Sequence, residues 1–268
     1  MKVHARKWIE YITTALMLAT VLLLVGCAGT MARIQDGFQA QRAYDAGLSR
    51  YQAKDYAGAI THLEKAVTLD PNYDDAKAQL AWSYYHTGQY LLATRHFRQA
   101  LVRQPQWPGL YDGLGWSRYR QGRYNLALDA FQHAVALDPS YRDAGVGLAY
   151  SLFALERYRE ALPHLERLTR EGEANGLRSA SSDLDQVRSR YAWTLFYVGD
   201  YPKARDQFAK AVAARPDWAG LHNGFGWTLL RMGDPQKAGE QFEEALKLEP
   251  ELADAKEGLT QVEAQVKM

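Results

Sequence analysis

Small and apolar residues return along this chain at helical intervals. Ala93, Phe97 and Ala100 are followed by Ala127, Phe131 and Ala134, later by Ala204, Phe208 and Ala211, and by Ala238, Phe242 and Ala245. Steps of four and then three bring each trio onto one side of an α-helix, the side that must be buried. Twelve residues before each first alanine stands another small residue, Ala81, Gly115, Ala192 or Gly226, and five residues after each last alanine stands Pro105, Pro139, Pro216 or Pro250. The pattern predicts units of two antiparallel helices. A short turn marked by Gly88, Gly122 or Gly199 joins them ahead of Tyr90, Tyr124 or Tyr201, and proline ends the second helix.

The prolines fix the period. Pro71, Pro105 and Pro139 are 34 residues apart, as are Pro216 and Pro250, whereas Pro139 and Pro216 are 77 apart, two periods plus nine residues. This explains why QWPGLYDGLGWSRYRQGRY at 106–124 returns as DWAGLHNGFGWTLLRMGDP at 217–235, and why Trp82, Trp107 and Trp116 return as Trp193, Trp218 and Trp227 at an offset of 111. A first repeat carries Gly47, Ala59, Ala66 and Pro71, and a fourth keeps Ala149 and Ala161 but has Leu168 and no proline. The extra residues fall near GLRSASSDL, 176–184, where Ser182 or Asp183 is placed to cap the next helix. Long surface loops cost little, so a tolerated loop and a docking loop are both open readings there.

A 34-residue period with these small residues and this proline resembles the tetratricopeptide repeat. The resemblance implies an all-α fold: a solenoid of six helix-turn-helix repeats plus a C-terminal capping helix. Repeats one to four occupy 40–175, the insertion 176–184, and repeats five and six 185–252. The remaining ELADAKEGLTQVEAQVKM, with 253–268 as the capping helix, supplies the polar end that a finite stack needs.

Residues 1–26 have a different character. MKVHARK is a basic start, and YITTALMLATVLLLVG is a charge-free core too short for a comfortable membrane span, as in a secretory signal. Leu24, Val25, Gly26 and Cys27 resemble the bacterial lipobox, which implies cleavage before Cys27, lipidation of that residue and a tether over 27–39. Two or more acyl chains hold a protein stably at a bilayer. Ala28 and Gly29 follow, without the aspartate that retains many such proteins in an inner membrane, so the resemblance points to the periplasmic face of an outer membrane. As the one cysteine of the chain, Cys27 forms no internal disulfide.

Composition then narrows the function. Removing Lys2, Arg6, Lys7 and Glu10 from 32 basic and 31 acidic residues leaves 29 against 30, so no basic stripe recommends nucleic acid. Gly113-x-Gly115, Gly145-x-Gly147 and Gly224-x-Gly226 look like openings of a dinucleotide loop, but none is completed and all lie within first helices. No nucleophile elbow, metalloprotease, Walker or paired-cysteine motif occurs, and His62 and His164 are equivalent repeat positions. The expectation is a non-enzymatic scaffold with no cofactor and no metal.

Counted from the start of each first helix, positions 2, 5, 9 and 12 share a face, which in the resembled family lines the concave groove. Position 9 reads Leu48, Trp82, Trp116, Tyr150, Trp193, Trp227 and position 12 reads Tyr51, Tyr85, Tyr119, Phe153, Phe196, Leu230. The candidate partner-binding residues are Trp82, Tyr85, Trp116, Tyr119, Tyr150, Trp193, Phe196 and Trp227, with Arg120 and Arg231 supplying charge at the edge. Packing between first helices is the competing reading of these rings, and inter-repeat packing is the reading of Trp107 and Trp218. Position 5, with Tyr44, Ala78, Asp112, Val146, Ser189 and Asn223, lacks the cations of a carboxylate clamp.

The expected role is a protein–protein interaction scaffold anchored to the bacterial envelope, binding an envelope protein or peptide and assisting assembly or secretion of an envelope complex. The plan is similar to tetratricopeptide lipoproteins that pilot pilus secretins, assist β-barrel assembly or recruit peptidoglycan enzymes. The alternative is a polysaccharide-secretion accessory protein whose aromatic groove contacts the glycan.

Overall fold

The computed structural model describes residues 30, 31, 33–174 and 182–266. The signal segment and Cys27 lie outside the described residues, as do 175–181 of the insertion and the side chains of Ser182 and Asp183. The described residues form thirteen α-helices and no strand. They divide into two compact units. The first, up to Pro105, contains α1 (33–52), α2 (Tyr56–Leu69), α3 (Asp74–His86) and α4 (Tyr90–Arg103). The second, from Gln106, contains α5 (Pro108–Arg120), α6 (Tyr124–Leu137), α7 (Arg142–Ala154), α8 (Tyr158–Ala174), α9 (Ser182–Val198), α10 (Tyr201–Ala214), α11 (Ala219–Arg231), α12 (Pro235–Leu248) and α13 (Ala253–Val266). In the second unit each helix packs on its sequence neighbours, and the first helices α5, α7, α9, α11 and α13 also touch in succession.

Every helix pair closes with the same turn. Gly88, Gly122, Gly199 and Gly233 adopt φ of 77°, 72°, 88° and 82°, and the amide of the residue after each glycine donates to the carbonyl five positions back, as in Gln89 N–H to Tyr84 C=O and Arg123 N–H to Arg118 C=O. That is the left-handed helix cap for which glycine lacks the steric penalty. Lys54 and Glu156 occupy the same place at φ 61° and 58°, so two of the six turns are built with side chains that disfavour them.

The repeat core consists of the residues that set the sequence period. Phe97, Phe131, Phe208 and Phe242 are completely buried, as are the alanines that flank them, and Leu63 and Leu165 take the phenylalanine place in repeats one and four. The glycines of the first helices exist to receive these rings. A Cβ on Gly115 or Gly147 would lie 2.6 or 2.3 Å from the Phe131 ring, and one on Gly226 or Gly258 would lie 2.8 or 2.4 Å from Phe242. Each ring therefore occupies a socket shared by its own repeat and the next.

Two boundaries differ from the sequence expectation. Residues 33–39, read as tether, are already helical and continue into the first repeat as α1. Of the insertion, 182–184 belong to α9, and α8 and α9 reach 17 residues each where α6 has 14 and α7 has 13. The lengthened ends pack together. A Cβ on Gly172 would meet Leu184 at 2.6 Å, and Glu173 accepts from the buried Arg188 at 3.0 Å. Apolar burial and an ion pair thus convert part of the inserted segment into helix, which local composition in Gly, Ser and Asp did not foretell.

Gly147→Ala should destabilise the chain by about 1–3 kcal/mol through overpacking on Phe131. Gly239→Ala, whose new methyl would meet only Val262 at 3.5 Å, should be neutral or stabilising by up to about 1 kcal/mol. Urea unfolding followed by circular dichroism tests the pair, and equal effects would refute the socket. Glu156→Gly should raise stability by roughly 1 kcal/mol by relieving the left-handed turn, read in the same assay.

Candidate functional site

Both readings of the aromatic stripe prove to be partly right. The four tryptophans of position 9 all stand edge-to-face on the buried phenylalanine of their own repeat, Trp82 on Phe97 and Trp116 on Phe131 at 5.2 Å, Trp193 on Phe208 and Trp227 on Phe242 at 5.3 Å. Their inner edges are core. Position 12 adds a second ring against three of them, Tyr85 on Trp82, Tyr119 on Trp116 and Phe196 on Trp193, all at 5.6 Å, whereas Leu230 holds that place beside Trp227. The tyrosine after the turn adds a third, as in Tyr119 with Tyr124 and Phe196 with Tyr201.

What differs between repeats is the outer side of these rings. Trp82, Tyr85, Trp116, Tyr119, Trp193 and Phe196 remain half-buried, and Arg120 and Arg231 are exposed. Trp227 is not a groove surface: it is 9% exposed, and its indole N–H donates to Asp254 of the capping helix α13 at 3.1 Å. The same Asp254 carboxylate accepts from Asn223 at 2.6 Å, so α13 closes this end of the stripe. Tyr150 is likewise 6% exposed, with the Arg190 guanidinium seated 4.0 Å above its ring. Trp107 is exposed rather than packed between repeats, and Trp218 packs on the core while also lining a pocket.

That pocket lies in the second unit and has a volume of about 590 Å³. Gln186, Ser189 and Trp193 supply positions 2, 5 and 9 of α9, Phe153 of α7 forms one wall, and Trp218 with the Arg215–Asp217 ion pair forms the other. Tyr197 completes it, stacked on Trp193 at 5.8 Å and on Tyr158 at 4.4 Å. In the repeat that follows, Gly220 holds the position equivalent to Asp254, the residue that covers Trp227 one repeat later, and offers no such carboxylate. Arg190 brings a positive charge seated over the faces of Tyr150 and Phe153, and no carboxylate among the described residues lies within ion-pair distance of it. An aromatic-walled recess with a cation not neutralised by a carboxylate suits a ligand that carries an apolar group beside an anionic one.

Of the predicted residues only Trp193 lines this pocket. Tyr197, Arg190 and Trp218 were missed, although Tyr197 and Arg190 lie four residues after and three before Trp193 and so share its helix face. The recess itself has no signal in the sequence, because it is walled by residues of α7, α9 and the segment ahead of α11 that only packing brings together.

The equivalent place in repeats three and four is closed by two acids. Asp112 is 3% exposed, one carboxylate oxygen lacks a partner, and burial, then the nearby Asp143, pushes its pKa up to about 8 against a Trp116 bond that lowers it. Tyr141 beside it is pushed up to about 12 by burial, then by Asp112 and Asp143. The folded chain thus holds a proton on Asp112 between about pH 4 and 8, where an unfolded aspartate has lost it. Stability contributed by that proton is full below about pH 4 and falls as pH rises toward 8. Asp112→Asn, which copies the Asn223–Asp254 pairing, should remove this slope. Its melting temperature should exceed that of the parent at pH 8, by the equivalent of roughly 1–3 kcal/mol, and converge with it near pH 4. A gap that does not change with pH would contradict the assignment.

With this geometry in hand, known proteins were compared. A family profile described as tetratricopeptide repeat matches residues 50–114 and 118–181, and a second of the same description matches 219–252. No curated protein matches by sequence. Among solved structures, Pseudomonas aeruginosa pilF superposes with a TM-score of 0.66 at 20% identity, covering 85% of this chain and 99% of its own. YrrB, described as a TPR protein with an unusual peptide-binding site, gives 0.61 at 22% identity over 72% of this chain and 95% of its own. MamA from Desulfovibrio magneticus RS-1 gives 0.59 at 19% identity over 68% and 97%. The phenylalanine sockets, the left-handed turns and the family profiles agree: this chain belongs to the tetratricopeptide repeat family.

Proposed function

We propose that this chain is an envelope-anchored adaptor whose second unit holds a segment of a partner protein in the Trp193–Tyr197–Trp218 pocket. The fold itself supports a protein-interaction scaffold. The observation that carries the finer reading is Arg190, held by two aromatic faces at the rim of an apolar recess with no carboxylate to neutralise it. A partner segment with an acidic residue next to an aromatic or aliphatic one would satisfy both. Peptide binding by the structurally similar YrrB supports the class of ligand. Anchoring rests on the lipobox at Leu24–Cys27, and a role in assembling or secreting an envelope complex follows from a scaffold tethered there.

Photo-crosslinking from Gln186 or Tyr197 in native envelopes tests the reading. A discrete partner protein should be captured, and its isolated binding segment should lose about tenfold or more in affinity with Arg190→Ala, the value of a hydrogen bond to a charged group. Capture unaffected by Arg190→Ala, or displacement by oligosaccharide and not by peptide, would reject it. Trp193→Ala is a poor probe because it also strips the edge of Phe208.

A further inference from the structure

The first turns of α1 and the residue just ahead of them expose large apolar side chains. Met31, Ile34 and Phe38 are 69%, 51% and 70% exposed, among the most exposed large apolar side chains of the described residues. A step of four puts Ile34 and Phe38 on one helix face, and Met31 precedes Ile34 by three residues. At 3.6 residues per turn that face points roughly opposite to Ala40, Ala43 and Gly47, the buried side of α1. The exposed Arg42 follows Phe38 by four residues and continues the stripe with a cation. Three large apolar groups aligned on solvent call for an occupant.

Chain length says which. Cys27 precedes Met31 by four residues, and four residues span at most about 14 Å in any conformation. If Cys27 bears acyl chains, the bilayer surface therefore lies within that distance of the stripe. No helix among the described residues is long and apolar enough to cross a membrane, and a short amphipathic face is the form that lies in the headgroup layer instead. We infer that Met31, Ile34 and Phe38 seat the start of α1 on the lipid surface, so that the acyl anchor and the stripe together fix the first repeat against the leaflet. Arg42 marks the end of the immersed part, its long side chain reaching the headgroup phosphates. Residues 33–39, read as part of a free tether, then act as a rigid lever, and α1 carries the orientation directly into the first repeat.

The inference rests on Cys27 being acylated, and the test separates the two. The full chain with Phe38→Cys or Arg33→Cys, purified with its native N-terminus, is labelled with an environment-sensitive fluorophore and reconstituted into phosphatidylethanolamine–phosphatidylglycerol vesicles. With Cys27 consumed by lipid, the introduced thiol is the one labelled. The label at 38 should shift to the blue on vesicles and be quenched by spin-labelled lipid about threefold more than the label at 33, which faces away from the stripe. If the chain floats with the vesicles but the label at 38 stays as in water, the seating is wrong and the anchor stands. If the chain does not float at all, anchor and seating both fall. A blue shift that needs no vesicles and grows with protein concentration would assign the stripe to a second copy and overturn the inference.

Discussion

A phenylalanine ring lodged where no Cβ stands in its way is the contact on which the repeats depend. Phe131 and Phe242 each fill a socket made by one glycine of their own repeat and one of the next, and Phe208 reaches Gly224 in the same manner. The ring joins the two helices of a repeat and at once fixes the next first helix at close distance. Apolar burial at this single point therefore sets both the fold of a unit and its stacking, and a chain with such sockets at a constant interval propagates nearest-neighbour contacts. Of the glycines that resemble a nucleotide loop in sequence, Gly115, Gly147, Gly224 and Gly226 are the mould for these rings.

The functional surface inherits the same constraint. Each tryptophan of the stripe gives one edge to the socket phenylalanine, so its capacity for recognition lies in whatever the neighbouring repeat leaves open. Asp254 seals Trp227 with a hydrogen bond, and Arg190 roofs Tyr150. Beside Trp193 a recess stays open, surrounded by Tyr197, Trp218 and Arg190. The site proposed for a partner is thus a gap in packing lined by rings already held by their neighbours, an arrangement that lowers the entropy lost when a ligand is held.

Polar groups are distributed according to the same geometry. Asp112 and Asn223 hold equivalent positions, yet Asn223 meets Asp254 as donor to acceptor while Asp112 faces another acid and keeps its proton. Repeats that share a backbone thus differ in their pH response through one atom. At the insertion, Arg188 is buried with Glu173 and Asp185 as partners, which ties the lengthened α8 and α9 together where a plain loop would have left them apart.

The sequence by itself determined the helix pairs, their 34-residue period, the buried trios and the turns marked by Gly88, Gly122 and Gly199, because each of these is written in local spacing that one helix face or one turn must obey. It also located the stripe of rings at positions 9 and 12. The tertiary structure alone decided which of those rings meet solvent. Burial of Trp227 depends on Asp254 of the capping helix, whereas Trp193 stays half-buried beside a recess, and α1 extends over 33–39, outside the repeat pattern. A periodic sequence fixes what every repeat has in common, whereas a site arises where neighbouring repeats differ, and that difference becomes visible only when they are packed together.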